Sequence, residues 1–217
     1  MQSLGMEFLS ILGMAVVLIT ALLLLVLGKP NLWFVVLAIQ YIGVFFILLM
    51  AWPVSMALTK MVAGWVAVAV IAMATPRIET KLGNGDTPPE DNRARGVRIT
   101  ELIAGISEVL FRLMVAGLVM LVAVSTTLMA IDWIPGVGLP QVFGGLILIS
   151  MGLLQLAMTG QVTRVFIGLL TFLSGFEIIY AAVEQSTLVA GLMAGVTLAL
   201  ALVCAYLLHA PEWETEQ

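Results

Sequence analysis

Four charged side chains stand inside stretches that are otherwise apolar: Lys60, Glu108, Arg112 and Glu177, with Glu101 and Glu184 near the ends of such stretches. Moving a charge into hydrocarbon costs at least ~2.5–3.5 kcal/mol, so such groups face a partner or a wet cavity, and many serve ion or proton paths. At about 100° per residue, Glu101, Glu108 and Arg112 share one helix face, and Glu108 and Arg112 form an i,i+4 pair of opposite sign. That pair either neutralises itself and pins its helix to a neighbour, or takes part in a proton path. Glu177 and Glu184 also share a face, flanked by Ser174 and Tyr180, and Glu177 has no cation close by in its own helix. A carboxyl so placed can act as a relay that gains and releases a proton, or can stay protonated and hydrogen-bond another helix. The relay is the preferred reading. Glu184 falls at a membrane interface, where a solvated carboxylate needs no further role. Lys60 lies about two turns inside its span. It either snorkels along its stem or, as preferred here, pairs with Glu108 or Glu177 on another helix.

The uncharged polar residues say less. Gln40 and Gln155 are expected to hydrogen-bond between helices. His209 follows the last span as a solvated side chain, the methionines fill core and lipid-facing space, and a single cysteine, Cys204, excludes a disulfide framework. The chain carries no phosphate-binding glycine loop, no Ser-His-Asp set and no zinc spacing, so no cofactor or metal is expected.

The elements that hold these charges are legible from composition. The 217 residues are 62% hydrophobic and 10% charged, with a mean hydropathy of +1.15. Soluble domains carry about 25% charge, so this is a polytopic membrane protein. A net charge of −4 argues against a nucleic-acid partner and leaves the lipid bilayer as the surrounding phase. A span needs about 20 apolar residues, and seven such stretches occur, at 8–27, 31–51, 54–75, 103–130, 141–159, 163–184 and 187–208. Gly28-Lys29-Pro30, Ala51-Trp52-Pro53 and the run from Ile134 to Pro140 are breaks between them. The first span lacks a positive flank and a cleavage site and reads as a retained helix.

If the spans alternate, Lys29, Arg77, Lys81, Arg93, Arg95, Arg98 and Arg164 all reach one side and no Lys or Arg reaches the other. Basic flanks stay cytoplasmic, so the amino terminus is expected outside and the carboxyl terminus inside a cell (inner) membrane. Trp52 and Trp133 then fall near the outer interface and Trp213 near the inner one. The fold expected is an all-α bundle of about seven transmembrane helices. It divides into an amino-terminal three-helix unit (1–75), a cytoplasmic loop (76–101), a connecting helix and outer loop (102–140), a second three-helix unit (141–208) and a tail (209–217).

The last three spans resemble the K subunit of respiratory complex I and its counterpart, the C subunit, in the Mrp-type cation/proton antiporters. The resemblance centres on Leu173-Ser174-Gly175-Phe176-Glu177-Ile178-Ile179, similar to that family's Gly-Leu-Glu-Ile-Met stretch, with Arg164 matching its basic connection. Ala38-Ile39-Gln40 and Leu58-Thr59-Lys60 extend it to the longer E component of hydrogenase-4 type complexes. The resemblance implies a non-catalytic subunit of a multisubunit oxidoreductase or ion pump. It would assemble with antiporter-like and other membrane subunits, and Glu177 would lie in a chain of buried ionisable groups that couples redox chemistry elsewhere to proton or sodium movement. The sequence departs from the K subunit in lacking a carboxylate in the last helix. Glu184 or the Glu108–Arg112 pair would have to substitute. The alternatives are a stand-alone ion transporter or channel, and a structural or assembly subunit.

Overall fold

A computed structural model describes residues 2–28, 30–75, 92–133 and 137–210, with side chains described for 8–28, 32–75, 107–131 and 137–210. Among the described residues there are seven helices and no strand: α1 (Gln2–Val26), α2 (Pro30–Leu48), α3 (Val54–Ala74), α4 (Asn92–Trp133), α5 (Leu139–Ala157), α6 (Val162–Val183) and α7 (Thr187–His209). Six carry an apolar stretch long enough to cross a membrane, and in α2 that stretch, Leu32–Leu48, is shorter. The chain is thus an all-helical bundle with multiple membrane-spanning helices. Lys29, Arg77, Lys81 and Trp213 lie outside the described residues, as do the side chains of Arg93, Arg95, Arg98, Glu101 and Trp133.

The helices pack as two rows of three. Sequential neighbours α1, α2 and α3 form one row and α5, α6 and α7 the other; α1 faces α5, α2 faces α6 and α3 faces α7, while α4 leans on α5 and α1 at one end. Small residues allow the close approach this needs. A Cβ added to Gly175 would come within 2.6 Å of the Gly145 carbonyl and 2.7 Å of the Ile149 amide, so α5 and α6 meet there backbone to backbone. Hydrophobic association is weak in lipid, where tails are as apolar as leucine, and van der Waals contact of this kind takes its place.

One expectation differs. The region 76–101 reads as a polar loop, yet α4 already begins at Asn92 and runs for 42 residues, of which Ser107–Ile131 form the apolar span. Apolarity marks where a helix leaves hydrocarbon and does not mark where it stops. Arg93, Arg95 and Arg98 are good helix formers that carry α4 on past its apolar part.

Candidate functional site: a buried ion pair

On α3 the buried positions include Met56, Ala57, Lys60, Ala63, Gly64 and Ala67, so the lysine occupies the same face as a run of small residues. Those residues bring α3 against α7, whose buried face is Ala190, Ala194, Thr197, Ala201 and Cys204. On α6 the inward face runs through Leu170, Thr171, Ser174, Glu177 and Ile178. These three faces converge on Lys60 and Glu177, which are 3% and 1% exposed. Two opposite charges are therefore sealed inside the bundle.

Lys60 Nζ lies 2.6 Å from Glu177 Oε2 and donates a 2.6 Å hydrogen bond to Oε1. It donates a second, also 2.6 Å, to Thr197 Oγ1, which itself donates to the Met193 carbonyl at 2.9 Å. Thr197 thus acts as acceptor and donor at once and is fixed in orientation. The centroid of the Tyr41 ring is 5.8 Å from Nζ, within reach of a cation–π attraction. That ring lies flat against Gly64, where any Cβ would overlap it. The Tyr41 hydroxyl faces Ser174 and Glu177 without a hydrogen bond of good geometry to either. Ser174 Oγ donates instead to the Leu170 carbonyl at 2.8 Å.

A buried pair tolerates desolvation only when geometry is good and the remaining donors are satisfied. The first holds here, and two donors of the ammonium are placed, while Glu177 Oε2 has the ion pair and no hydrogen bond. Chemically, the arrangement holds one exchangeable proton between an acid and a base in a dry setting, with a hydroxyl at hand.

The second expected pair forms at the other end of the bundle. Arg112 Nη2 donates to Glu108 Oε1 at 2.5 Å, with the two side chains 16% and 63% exposed. Arg112 Nη1 reaches the Leu25 carbonyl at 3.2 Å, and Arg164 Nη2 reaches the Leu27 carbonyl at 2.6 Å. Trp33 Nε1 donates to the same Leu27 oxygen at 2.7 Å. These are orphan carbonyls at the carboxyl end of α1, where a cation also complements the helix dipole. Arg164 stacks over Trp33, 4.4 Å from the ring centroid. Arg164 and Glu177 are thirteen positions apart on α6, about 20 Å at 1.5 Å per residue. An apolar layer including Leu37, Ile71, Phe166, Ile167 and Leu170 fills part of the space between.

The structure therefore joins Lys60 with Glu177 and Glu108 with Arg112, and does not join the two pairs. Glu184 is exposed at the carboxyl end of α6, and its carbonyl accepts from Trp52 Nε1 at 3.2 Å. Gln40 and Gln155 are buried, but neither amide hydrogen-bonds to a described residue, against the expectation of interhelical bonds. Gln155 lines a small pocket with Arg112, Thr159 and Arg164 yet bonds to none of them. Sequence reasoning missed Thr197 and Tyr41 as members of the site. Thr197 is the only polar residue in the middle of the last span, and that isolation was the available signal. Nothing in the sequence marks Tyr41.

No protein family matches the chain, and no match is found among curated proteins or solved structures.

Proposed function

We propose that the chain is a small membrane subunit of a complex I-related energy-converting assembly, of the hydrogenase-4 or NADH-quinone oxidoreductase kind, in which Lys60 and Glu177 relay protons or sodium-coupled charge. One observation carries the reading: a carboxylate and an ammonium, each at least 97% buried, held on three different helices with a hydroxyl on the ammonium. Small movements of α3, α6 or α7 would change the partner of each charge. A charge in hydrocarbon follows its partner closely, because an unpaired state is costly. That dependence lets a conformational change in a neighbouring subunit move a proton.

The test is an affinity-tagged chain purified from its native membrane. Antiporter-like large subunits should co-purify. Glu177→Gln should leave the assembly intact and lower ion translocation at least about tenfold, within the range that a positioned acid–base group contributes. Transport by the pure chain in liposomes would favour the stand-alone reading and count against this one.

The closeness of the pair also suits a structural subunit, since the ammonium already has a carboxylate and a hydroxyl in place. On that reading Lys60→Met combined with Glu177→Leu would leave turnover and pumping unchanged.

A further inference from the structure

Around Arg112 and Arg164 the bundle opens into a cleft of about 990 Å³, lined by residues of α1, α4 and α6 and the ends of α3 and α7, among them Val26, Glu108, Gln161, Thr163 and Leu208. Its inner end narrows to a pocket of about 20 Å³ bounded by both arginines, Trp33 and Gln155. Two guanidinium groups and one carboxylate face this space, so it is net positive among the described residues. Among the described residues Arg164 has no carboxylate within ion-pair distance, and its Nε is buried without a hydrogen-bond partner. Gln155, 6% exposed, has neither amide atom paired. The amino end of α6 opens on the same cleft: Gln161 makes no side-chain cap, and the first turn holds no acidic residue. Among the described residues the N–H groups of Val162, Thr163 and Arg164 have no side-chain acceptor, while the Thr159 hydroxyl accepts from the Gln161 N–H at 3.3 Å.

Capping α1 takes one Nη of each arginine and Glu108 takes the other Nη of Arg112, which leaves Nε and Nη1 of Arg164 over beside the Arg112 charge. A planar fork with unpaired donors, a second fork beside it and an uncapped helix amino terminus together make a receptor for a tetrahedral oxyanion. The cleft is far larger than such an ion, and Val26, Val109, Val162 and Leu208 give it apolar walls.

We propose that this cleft binds a phosphate-class oxyanion between Arg112, Arg164 and the amino end of α6, supplied by a phospholipid headgroup or by free phosphate. The site is separate from the buried Lys60–Glu177 pair and stands whether or not that pair relays ions.

The full chain in mild detergent would be titrated, by native mass spectrometry, with phosphatidylglycerol and with phosphatidylcholine of the same acyl chains. Melting would be followed in parallel with inorganic phosphate against chloride at equal ionic strength. For a headgroup site, phosphatidylglycerol binds at least about tenfold tighter than phosphatidylcholine, and Arg164→Gln removes that margin, as losing a charge-assisted hydrogen bond should. For a free-ion site, phosphate raises the melting temperature, Arg164→Gln abolishes the rise, and the two lipids bind alike. Arg112→Gln gives the same result if Arg164→Gln does not fold. No preference in either arm, or a preference that survives in the variants that fold, overturns the proposal.

Discussion

Removing one member of the Lys60–Glu177 pair should be far more harmful than removing both. In Lys60→Met the carboxylate stays 1% exposed, on a helix face whose neighbours are Thr171, Ser174 and Ile178, with no other cation among the described residues in contact. Breaking a buried pair in this way costs about 3–5 kcal/mol. For a chain of this size each 1 kcal/mol moves the melting temperature by about 2–4 °C, so Lys60→Met or Glu177→Leu should lower it by about 6–20 °C. Lys60→Met combined with Glu177→Leu removes both charges and keeps most of the volume, and should melt near or above wild type. Acidity separates the single variants. Lowering the pH lets the lone carboxyl of Lys60→Met take up a proton and recovers part of its loss. Raising the pH lets the lone lysine of Glu177→Leu give one up and recovers part of that loss. The assay is thermal unfolding of the purified chain in mild detergent, followed by circular dichroism across a pH series. Single variants that melt within about 2 °C of wild type, or losses that simply add in the double variant, would refute the buried pair.

Other expectations rest on separate contacts. Thr197→Val removes the 2.6 Å hydrogen bond from Lys60 and should cost about 0.6–1.5 kcal/mol, a few degrees in the same melting assay. Gly175→Val should destabilise by at least about 1–3 kcal/mol, because the new side chain meets the Gly145 and Ile149 backbone across the α5–α6 contact. Gly191→Ala has nothing within 4 Å of the added methyl and should stabilise α7 by up to about 1 kcal/mol. Gly64→Ala should displace the Tyr41 ring from beside Lys60, read as a lower melting temperature that Tyr41→Ala relieves when the two are combined.

Much of this molecule could be read along the chain. Seven apolar runs read as spans, and the six that form helices long enough to cross a bilayer admit little but membrane-spanning helices, since every backbone N–H and C=O must be satisfied within the segment. The rarity of charge in those runs singled out Lys60, Glu108, Arg112 and Glu177, and i,i+4 spacing alone paired Glu108 with Arg112. Periodicity also put Glu177 and Ser174 on neighbouring positions of α6. The partner of Lys60 was a different matter: Glu108 and Glu177 were equally open to it, because periodicity shows which face a residue occupies and not which helix that face meets. Lys60 is separated by 117 positions from Glu177 and by 137 from Thr197. Only the packing of α7 against both α3 and α6 brings these three together. The same packing leaves the Gln40 and Gln155 amides unpaired and turns Arg112 and Arg164 onto the carbonyls at the end of α1. Local propensity and hydropathy dictate the helices, because backbone bonding in lipid is satisfied within each one. The site depends on contacts between helices far apart in sequence, and those are decided by how side-chain shapes fit when the rows come together.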